Sequence, residues 1–450
     1  MNILTKISNA FKDTKSYYMP GVQMIIGGAF NWNYKSKNSQ LKGYENKIVY
    51  ATVNVLVKKL IETPIIVSKI KSEKDLLRIK SFNPTNNEQG KLNVLKIKAL
   101  EEMPEHPLND LLNNPNDYQI GKELLESFWF NYELTGDGFL FVEKNGDKPV
   151  FLHSLNPDRI SLYREGNDWR KPVTKYVFNA WDGTSFEIPI EDLLHLKKWS
   201  PLDALQGGWS PMQSVGGVVS KNDEKDLAEG SAFKNGGTGT IIGSDILVHE
   251  GKSYSKLSVE QVQSIKETIL TDYAGARNNG KIHVTNGTVN VQKYGDTLVD
   301  LNTINADNQD AIRISAAWGV DSCLIGDKTG GTENNVKAAY KALVTNTVVP
   351  ELRKFDAKFK QFSKTWYRGE RLDISHDLTE FSELAPDLKL MKDIYGGSWQ
   401  ISGNEFRRIV NMETSDNPNM DKFLVPAGLM DLDSLMMDDF NEIPPNNGEL

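Results

Sequence analysis

The chain has 450 residues and a formal net charge of −8, and its 39% hydrophobic and 25% charged residues are typical of a globular protein. This length exceeds one ordinary hydrophobic core, and the negative balance argues against a protein that holds nucleic acid through clustered lysine and arginine. No apolar stretch approaches the roughly 20 residues of a membrane span, and the single cysteine, Cys323, excludes an intramolecular disulfide framework.

The amino-terminal segments alternate between helical and extended patterns. Met1 to Lys15 carries apolar residues at helical spacing but lacks the features of a secretory signal, so we interpret it as an amphipathic arm. A helix is predicted over Tyr44 to Ile61, and Thr63-Pro64 ends it before a strand at Ile65 to Val67. The polar residues Ser72 to Lys98 contain turn signals and predict a loop.

The next segments predict two helices and a hairpin. The helices cover His106 to Asn114 and Ile120 to Leu134. Strands at Phe139 to Glu143 and Val150 to Leu155 are joined across a turn at Asn145-Gly146-Asp147. Further strands are predicted at Tyr176 to Phe178, Ser185 to Ile188 and Leu194 to Leu196. This part of the chain therefore predicts an α+β domain.

Two helices then flank a small inserted module. The first helix begins at Ser210-Pro211 and runs to Lys234, and the second covers about Leu298 to Trp318. Between them lie a short apolar run, a helix introduced by the capping box Ser258 to Gln261, and a hairpin. The hairpin strands are Lys281 to Thr285 and Thr288 to Tyr294, joined by Asn286-Gly287. The pattern predicts a compact module of about sixty residues at the end of a helical stalk.

The carboxyl-terminal part is mainly helical. After a glycine-rich stretch, Gly326 to Thr332, a long helix is predicted from Asn335 to about Trp366, with a kink at Pro350. Leu384 to Val410 predicts two short helices, the second with a capping box at Ser402 to Glu405. Met430 to Leu450 has six acidic residues and no basic one, which favours a mobile tail.

Several motifs resemble enzyme signatures but lack a required residue. Gly251-Lys252-Ser253 resembles the end of a phosphate-binding loop, yet Ile246 occupies the position of its first glycine. His249-Glu250 lacks the second histidine of a zinc-protease helix, and the six histidines show no metal-ligand spacing. No serine lies in a Gly-x-Ser-x-Gly elbow. We therefore predict no catalytic residue, no metal and no cofactor.

Two other classes of function stay open at this point. The chain contains 60 acidic residues, and two of them could meet in space as they do in a carboxylate-dependent hydrolase. A monomeric DNA-binding regulator could use Arg407 and Arg408, because the helix pair in Leu384 to Val410 resembles a helix-turn-helix. A large ring in a sizing experiment would exclude both classes.

Short motifs along the chain carry a more specific resemblance. They include His106-Pro107-Leu108, Gly136-Asp137-Gly138-Phe139, Gly208-Trp209-Ser210-Pro211, Phe233-Lys234-Asn235-Gly236, Gly319-Val320 and Ser402-Gly403-Asn404-Glu405. In order and spacing, the chain resembles portal proteins of tailed double-stranded-DNA bacteriophages of the long-tailed type, over about Tyr44 to Ile409. One departure is Asp321, which stands where that family often has proline.

The resemblance implies a portal-like α+β subunit that forms a twelve-fold ring. Such a subunit has an α+β wing, a two-helix stem, a small strand-helix-hairpin clip and a helical crown. The implied divisions are an N-terminal arm (1–43), the wing (44–209 and 336–382), two stem helices (210–235 and 296–320), the clip (236–295), a tunnel loop (321–335), the crown (383–429) and an acidic C-terminal tail (430–450).

The resemblance also assigns roles to single residues. The tunnel-loop residues expected to line a DNA channel are Lys328, Thr329, Gly330, Gly331, Thr332 and Asn334. The stem candidates for facing the channel are Asp300, Asp307, Asp310 and Arg313. The clip residues expected to dock partners are Lys281, His283, Asn286, Gly287 and Lys293. Lys328, the one basic residue of the loop, is the candidate for a transient phosphate contact.

The implied function is structural: a head-to-tail connector at one capsid vertex for DNA packaging and ejection. The implied partners are further copies of the chain, the major capsid protein, the large terminase subunit, a head-completion or adaptor protein, and double-stranded DNA that passes without sequence recognition. No membrane partner is implied. The protein would reside in the virion, and in the host cytoplasm during assembly. Twelve copies at −8 amount to −96, and acidic channel walls would discourage tight phosphate contacts.

Overall fold

The computed structural model describes residues 17–18, 36–81, 95–96, 98–163, 173–201, 207–235, 239–244, 247–249, 252–254, 260, 263, 267, 289–294, 303–326, 332–367, 369–384, 401–409, 412 and 414–422. Within these ranges, no helix is both long and apolar enough to cross a bilayer. Contacts group the chain into a first unit, Met1–Pro64 with Pro107–Arg368, and a second unit, Ile65–His106 with Gly369–Leu450.

The described helices and strands are named in chain order. The helices are α1 (Lys37–Leu41), α2 (Lys47–Leu60), α3 (Glu73–Lys80), α4 (Pro107–Asn113), α5 (Gly121–Thr135), α6 (Pro211–Asn235), α7 (Thr303–Ala316), α8 (Glu333–Leu343), α9 (Val349–Ser363) and α10 (Gly403–Ile409). The strands are β1 (Tyr17–Tyr18), β2 (Ile65–Ile70), β3 (Leu100–Glu102), β4 (Asp137–Asn145), β5 (Lys148–Leu155), β6 (Ile160–Tyr163), β7 (Lys175–Asn179), β8 (Ser185–Ile188), β9 (Leu193–Lys197), β10 (Gly239–Ser244), β11 (Leu247–His249), β12 (Lys252–Tyr254), β13 (Val289–Tyr294) and β14 (Leu372–His376).

Two small antiparallel sheets of the first unit share a hydrophobic cluster. One sheet has the order β5-β4-β9, and the other has the order β1-β6-β7-β8. The buried members of the cluster are Phe139, Ile160, Leu162, Tyr176, Ile188 and Leu193. Helix α5 adds an aromatic layer in which the Phe128 ring lies 5.4 Å from Trp129 and 5.4 Å from Phe355 of α9. The predicted α+β class is confirmed.

The turn from α5 into β4 depends on two glycines. Gly136 ends α5 with φ at 76°, a conformation that glycine adopts without steric cost. Gly208 passes so close that a Cβ built on it would lie 1.9 Å from the carbonyl oxygen of Gly136. The chain that leads into α6 therefore lies directly on the end of α5.

Local signals place most elements close to their predicted positions. Asn46 begins α2, because its side-chain oxygen accepts hydrogen bonds from the backbone N–H groups of Ile48 and Val49 at 3.0 and 3.1 Å. The helix predicted over Tyr44 to Ile61 is thus confirmed as α2. The hairpin of β4 and β5 turns at Gly146, whose φ is 66°. This hairpin, too, was predicted from its turn residues.

The prediction of a loop over Ser72 to Lys98 is wrong at both ends, because Glu73–Lys80 and residues 95, 96 and 98 are helical. Ser72 caps α3 by accepting a hydrogen bond from the backbone N–H of Asp75 at 3.3 Å. Leu76 is 6% exposed, so one buried side chain anchors this short polar helix. The polar composition of this segment gave no helical pattern, because Leu76 is the one buried residue among positions 73–79 of the helix.

The second unit contains a sheet of order β14-β2-β3. Strand β14 pairs with β2 in antiparallel register from Leu372↔Lys69 to His376↔Ile65. The predicted capping box before α10 is confirmed: Ser402 Oγ accepts from Glu405 N at 3.2 Å, and Glu405 Oε2 accepts from Ser402 N at 3.0 Å. The second unit thus groups residues that the resemblance assigns to the wing with residues that it assigns to the crown.

The long helix after the glycine-rich stretch is interrupted differently from the prediction. A π-helical turn, Val344–Val348, connects α8 to α9, and Pro350 lies in the first turn of α9. Proline has no N–H to donate, so the wider hydrogen-bonded turn just before it accommodates the missing donor. The helix is therefore altered before Pro350.

The inserted module is closed by a strand pair. Strand β10 pairs with β13 in antiparallel register from Gly239↔Tyr294 to Ser244↔Val289, so both ends of the insertion meet in one sheet. The predicted strand Lys281 to Thr285 lies outside the described residues. The same holds for the arm Met1 to Lys15, for the first of the two predicted C-terminal helices, which covers residues from 385 onward, and for the tail Met430 to Leu450.

Candidate functional site

The two helices that flank the insertion are rooted on one turn of α5. The Ser210 hydroxyl donates a hydrogen bond to the carbonyl oxygen of Leu134 and accepts one from the backbone N–H of Met212 at 3.0 Å. Trp318 follows α7, and its indole Nε1–H donates to the carbonyl oxygen of Glu133 at 3.1 Å. Consecutive carbonyls of α5 thus hold the start of α6 and the end of α7, as helix ends require partners for their backbone groups.

The seam between α6 and α7 changes character along its length. Near the Leu134 and Glu133 carbonyls, the buried side chains of α6 and of the segment through Trp318 are apolar, and they include Met212, Val215, Val219, Ile314 and Trp318. Farther along, Asn222 Nδ2 donates to Asp307 Oδ1 at 3.1 Å, and Lys225 pairs with Asp307 and, at 3.3 Å, with Asp310. The apolar part supplies burial energy, whereas the charged part requires one particular register of the two helices.

The start of α2 braces the same charged seam. The Asn46 amide donates to Asn222 at 3.0 Å and to Asp223 at 2.7 Å. Lys47 pairs with Asp226 at 2.8 Å. Burial works against the charged form of Lys47, but its hydrogen bond to Asp226 and the charge of Asp307 together raise its pKa above the ordinary value. Three helices therefore meet through complementary charges at this point.

The structure places the predicted stem acids differently from the expectation that they face a channel. Asp310 is only 1% exposed and lies against Lys225, so its carboxylate is unavailable to any open surface. Asp307 is half-buried; burial opposes its ionisation, but the hydrogen bond from Lys225 and the charge of Lys47 lower its pKa. Asp307, Asp310 and Ile314 are three and four residues apart, so they lie on the same side of α7, and the two acids therefore face α6. Arg313 is exposed, and Asp300 lies outside the described residues.

The predicted tunnel loop is described only at its two ends. Before it, Asp321 caps a short turn by accepting from Cys323 N at 3.0 Å, and Gly326 ends that turn with φ at 106°. After it, Thr332 caps α8 by accepting from Asn335 N at 3.3 Å, and Asn334 is exposed in the first turn. The remaining predicted loop residues, Lys328, Thr329, Gly330 and Gly331, lie outside the described residues.

The predicted docking residues are mostly beyond the described part of the insertion. Lys293 lies in β13, opposite Thr240 of β10. Lys281, His283, Asn286 and Gly287 lie outside the described residues. Their docking role stays a prediction.

A buried carboxylate that sequence reasoning missed joins three segments near the root of α6. Asp137, at the start of β4, contacts Lys37 Nζ of α1 at 2.6 Å and His195 Nε2 of β9 at 2.8 Å. It also accepts a hydrogen bond from the backbone N–H of Gly208 at 2.7 Å. Burial opposes ionisation, but Lys37 and His195 prevail and lower the pKa of Asp137 to about 2. The available signal was an aspartate between two glycines directly after a helix.

His195 is held in the neutral form within this group. Burial lowers its pKa, so its Nε2–H donates to Asp137 while Nδ1 accepts from the Tyr176 hydroxyl at 3.3 Å. Its two ring nitrogens are thus both occupied, as expected of a core histidine. In the described part of the chain, no three His, Cys, Asp or Glu side chains converge to hold a metal ion.

A second buried ion pair lies beneath the root. Glu133 of α5 is 1% exposed and pairs with Lys198 at 2.9 Å, and Lys198 also approaches Glu351 of α9 at 3.5 Å. The Tyr132 hydroxyl donates to Glu351 at 2.6 Å. Burial raises the pKa of Glu133 and opposes the charge of Lys198, but the two carboxylates prevail and raise the pKa of Lys198. The turn of α5 that holds α6 and Trp318 thus carries a buried ion pair.

Three kinds of comparison relate this chain to known proteins. A family model described as "Phage portal protein" matches residues 89–411. An uncharacterized protein of Rickettsia bellii is 24% identical over 298 residues, which are 65% of this chain and 74% of that protein. The portal protein of Escherichia phage T5 is 22% identical over 272 residues, 58% of this chain and 62% of that protein. A chain in the solved neck of a native gene transfer agent particle, computed with C12 symmetry, shares the fold at 19% identity, with a TM-score of 0.59 over 92% of this chain and 100% of that one.

Proposed function

Because the chain belongs to the phage portal protein family, we propose that twelve copies close into a ring that conducts DNA at one vertex of a capsid. DNA enters through this ring during packaging and leaves through it during ejection. The large terminase subunit docks first, and a head-completion or adaptor protein replaces it. The major capsid protein surrounds the ring, and assembly takes place in the host cytoplasm before the ring becomes part of the virion.

The observation that carries this proposal is the rooted helix pair. Helices α6 and α7 are fixed on the Leu134 and Glu133 carbonyls and hold an insertion whose ends meet in the β10–β13 pair. A rigid post with a separate distal module suits a ring whose narrow end must bind successive partners. The twelve-fold symmetry of the gene transfer agent neck, whose chain shares this fold, supports the stoichiometry. The role is mechanical, so no residue is proposed as catalytic.

The channel-lining residues stay a proposal with one change. We retain the tunnel loop, Lys328 to Gly331 with Thr332 and Asn334. We also retain Asp300 and the exposed Arg313 as channel-facing candidates of the second stem helix. Asp307 and Asp310 no longer supply repulsion toward DNA, because Lys225 and Lys47 neutralise them within the subunit. If the channel wall repels DNA phosphates, other acidic residues must supply that repulsion.

Ring formation is the direct test. The purified full-length chain should elute as a large oligomer with a mass by light scattering near twelve times 50.6 kDa, and negative-stain images viewed end-on should show a central hole. Head-to-tail contacts between identical copies give a closed ring when the rotation between neighbours closes, as a twelve-fold arrangement requires. A stable monomer at high concentration, or an open filament, would contradict the proposal.

Deleting Lys328 to Gly331 should separate assembly from DNA handling. The flanking caps at Asp321 and Thr332 lie outside the deletion, so the ring should assemble with unchanged yield. Packaging in a terminase-dependent assay, or retention of packaged DNA, should fall severely. Substituting Thr329 and Thr332 by serine leaves the length of the loop unchanged and serves as the control. Loss of the ring itself in the deletion variant would show that the loop has a structural role instead.

A further inference from the structure

One helical surface carries the opposite charge to the rest of the chain. The segment from Glu333 to Lys364 covers α8, the π-helical turn, α9 and its C-cap residue. It contains seven basic and three acidic residues, so its formal charge is +4, whereas that of the whole chain is −8. The net charge of the whole chain does not reveal this basic segment, because acidic residues outnumber basic ones in the rest of the chain. A concentration of one sign on one element is the feature that attracts a polyanion.

The basic residues lie on the outer side of this long helix. Its inner side is buried through Leu343, Leu352, Phe355 and Phe359. Lys354 is exposed along its stem, but its ammonium donates to the Tyr132 hydroxyl at 2.7 Å. The other exposed basic residues, which we call the basic helix face, are Lys337, Lys341, Arg353, Lys358 and Lys364. The face runs along both helices, on either side of the π-helical turn.

Two of the three acids in this segment are already engaged by neighbouring groups. Glu351 points inward, where it accepts from the Tyr132 hydroxyl at 2.6 Å and approaches Lys198 at 3.5 Å. Glu333 pairs with Lys337 at 2.7 Å in the first turn of α8. Glu351 also lies 3.6 Å from Lys354, so each of the two acids is paired with a lysine of the same segment, and the balance of +4 comes from the other residues.

The side chains between the lysines favour a phosphate partner over a protein partner. The exposed residues among them include Ala338, Ala342, Ala357 and Gln361, which are small or polar. Stable protein interfaces need a buried aromatic or large apolar centre, and this face offers none among these residues. Lysine is a compact point charge that binds phosphate without reading bases.

We propose that the basic helix face binds the sugar-phosphate backbone of double-stranded DNA without sequence preference. The proposal rests on the proposed function only in that DNA is the polyanion present in such a particle. A helix rises about 1.5 Å per residue and DNA carries about one charge per 1.7 Å, so the segment spans a long row of phosphates. The face is separate from the tunnel loop, so this contact adds a second DNA-binding surface to the subunit.

The test compares two triple variants of the full-length chain with equal changes of charge. Lys341→Gln/Lys358→Gln/Lys364→Gln removes three exposed charges from the face. Lys42→Gln/Lys122→Gln/Lys148→Gln removes three exposed lysines outside the face, at the C-cap of α1, in α5 and in β5. Binding of a short, fluorescently labelled DNA duplex is measured by anisotropy over a series of salt concentrations, with ring assembly checked by light scattering.

The face variant should bind the duplex roughly tenfold or more weakly at low salt, and its slope of log affinity against log salt should become shallower by about one for each lost phosphate contact. The control variant should bind nearly as the unchanged protein does. A Lys→Arg triple at the three face positions keeps the charge and should retain the affinity, which separates loss of charge from altered packing.

Four results would overturn the proposal. Equal weakening in both glutamine triples would mean that only total charge matters, and unchanged binding in the face triple would remove the face from DNA contact. If the unchanged protein forms rings that do not bind the duplex, the face is likewise not a DNA-binding surface. Failure of the face triple alone to form rings would identify the face as a contact between copies. Failure of the unchanged protein to form rings would instead contradict the proposed function.

Discussion

Replacing Asp137 with asparagine should lower the free energy of unfolding by about 3–5 kcal/mol, the range found when one partner of a buried ion pair is removed. The carboxylate is buried and pairs with the Lys37 ammonium at 2.6 Å, which would stay in the interior without a countercharge. The asparagine amide oxygen would also be a weaker hydrogen-bond acceptor than the carboxylate for His195 and for the backbone N–H of Gly208, which leads into α6. Urea unfolding followed by tryptophan fluorescence measures the change.

The pH dependence of unfolding gives an independent check on Asp137. Because its pKa is lowered to about 2 in the folded chain, its ionised form stabilises the fold above its ordinary pKa near 4, and this stabilisation is lost as pH falls from about 4 through 2. The asparagine variant should lack that part of the acid loss. Asp147→Asn, at an exposed position in the β4–β5 turn, is the matched control. Equal stability of the two variants would contradict the role assigned to Asp137.

Replacing Lys198 with methionine should destabilise the chain by a similar amount, about 3–5 kcal/mol. Glu133 is 1% exposed and would lose its ion-pair partner at 2.9 Å. The same change removes the cation near Glu351. Because the Glu133 carbonyl holds Trp318, loosening of this turn should also reduce the yield of rings. Urea unfolding and sizing report the two effects separately.

A double variant shows whether an uncompensated charge causes the loss. Lys198→Met combined with Glu133→Gln leaves no buried carboxylate and should recover most of the stability. The single variant should also improve at acidic pH. Since burial raises the pKa of Glu133, its protonated form is favoured in the folded chain, so stability is greater at low pH and falls as pH rises. A double variant as unstable as the single one would assign the loss to packing of the lysine stem.

Local sequence signals predicted the elements because their causes are local. The Ser402–Glu405 capping box, the glycines at 136 and 146, and the cap before α2 each act within a few residues of themselves. The short polar helix α3 escaped prediction because one buried leucine, Leu76, supplies its packing. The interruption of the long helix was expected at Pro350 and lies just before it, because the hydrogen-bonding pattern changes ahead of the missing donor.

The sequence by itself determined the α+β class, the two helices around an insertion, and the family to which the chain belongs. Only the tertiary structure decided which charges stay available. Lys225 neutralises Asp307 and Asp310, which lie more than eighty positions later, and Lys37 lies 100 positions before its partner Asp137. Lys341 of α8 and Lys358 of α9 are instead exposed. Coulomb energy and desolvation depend on distance and burial in space, and spacing along the chain specifies neither.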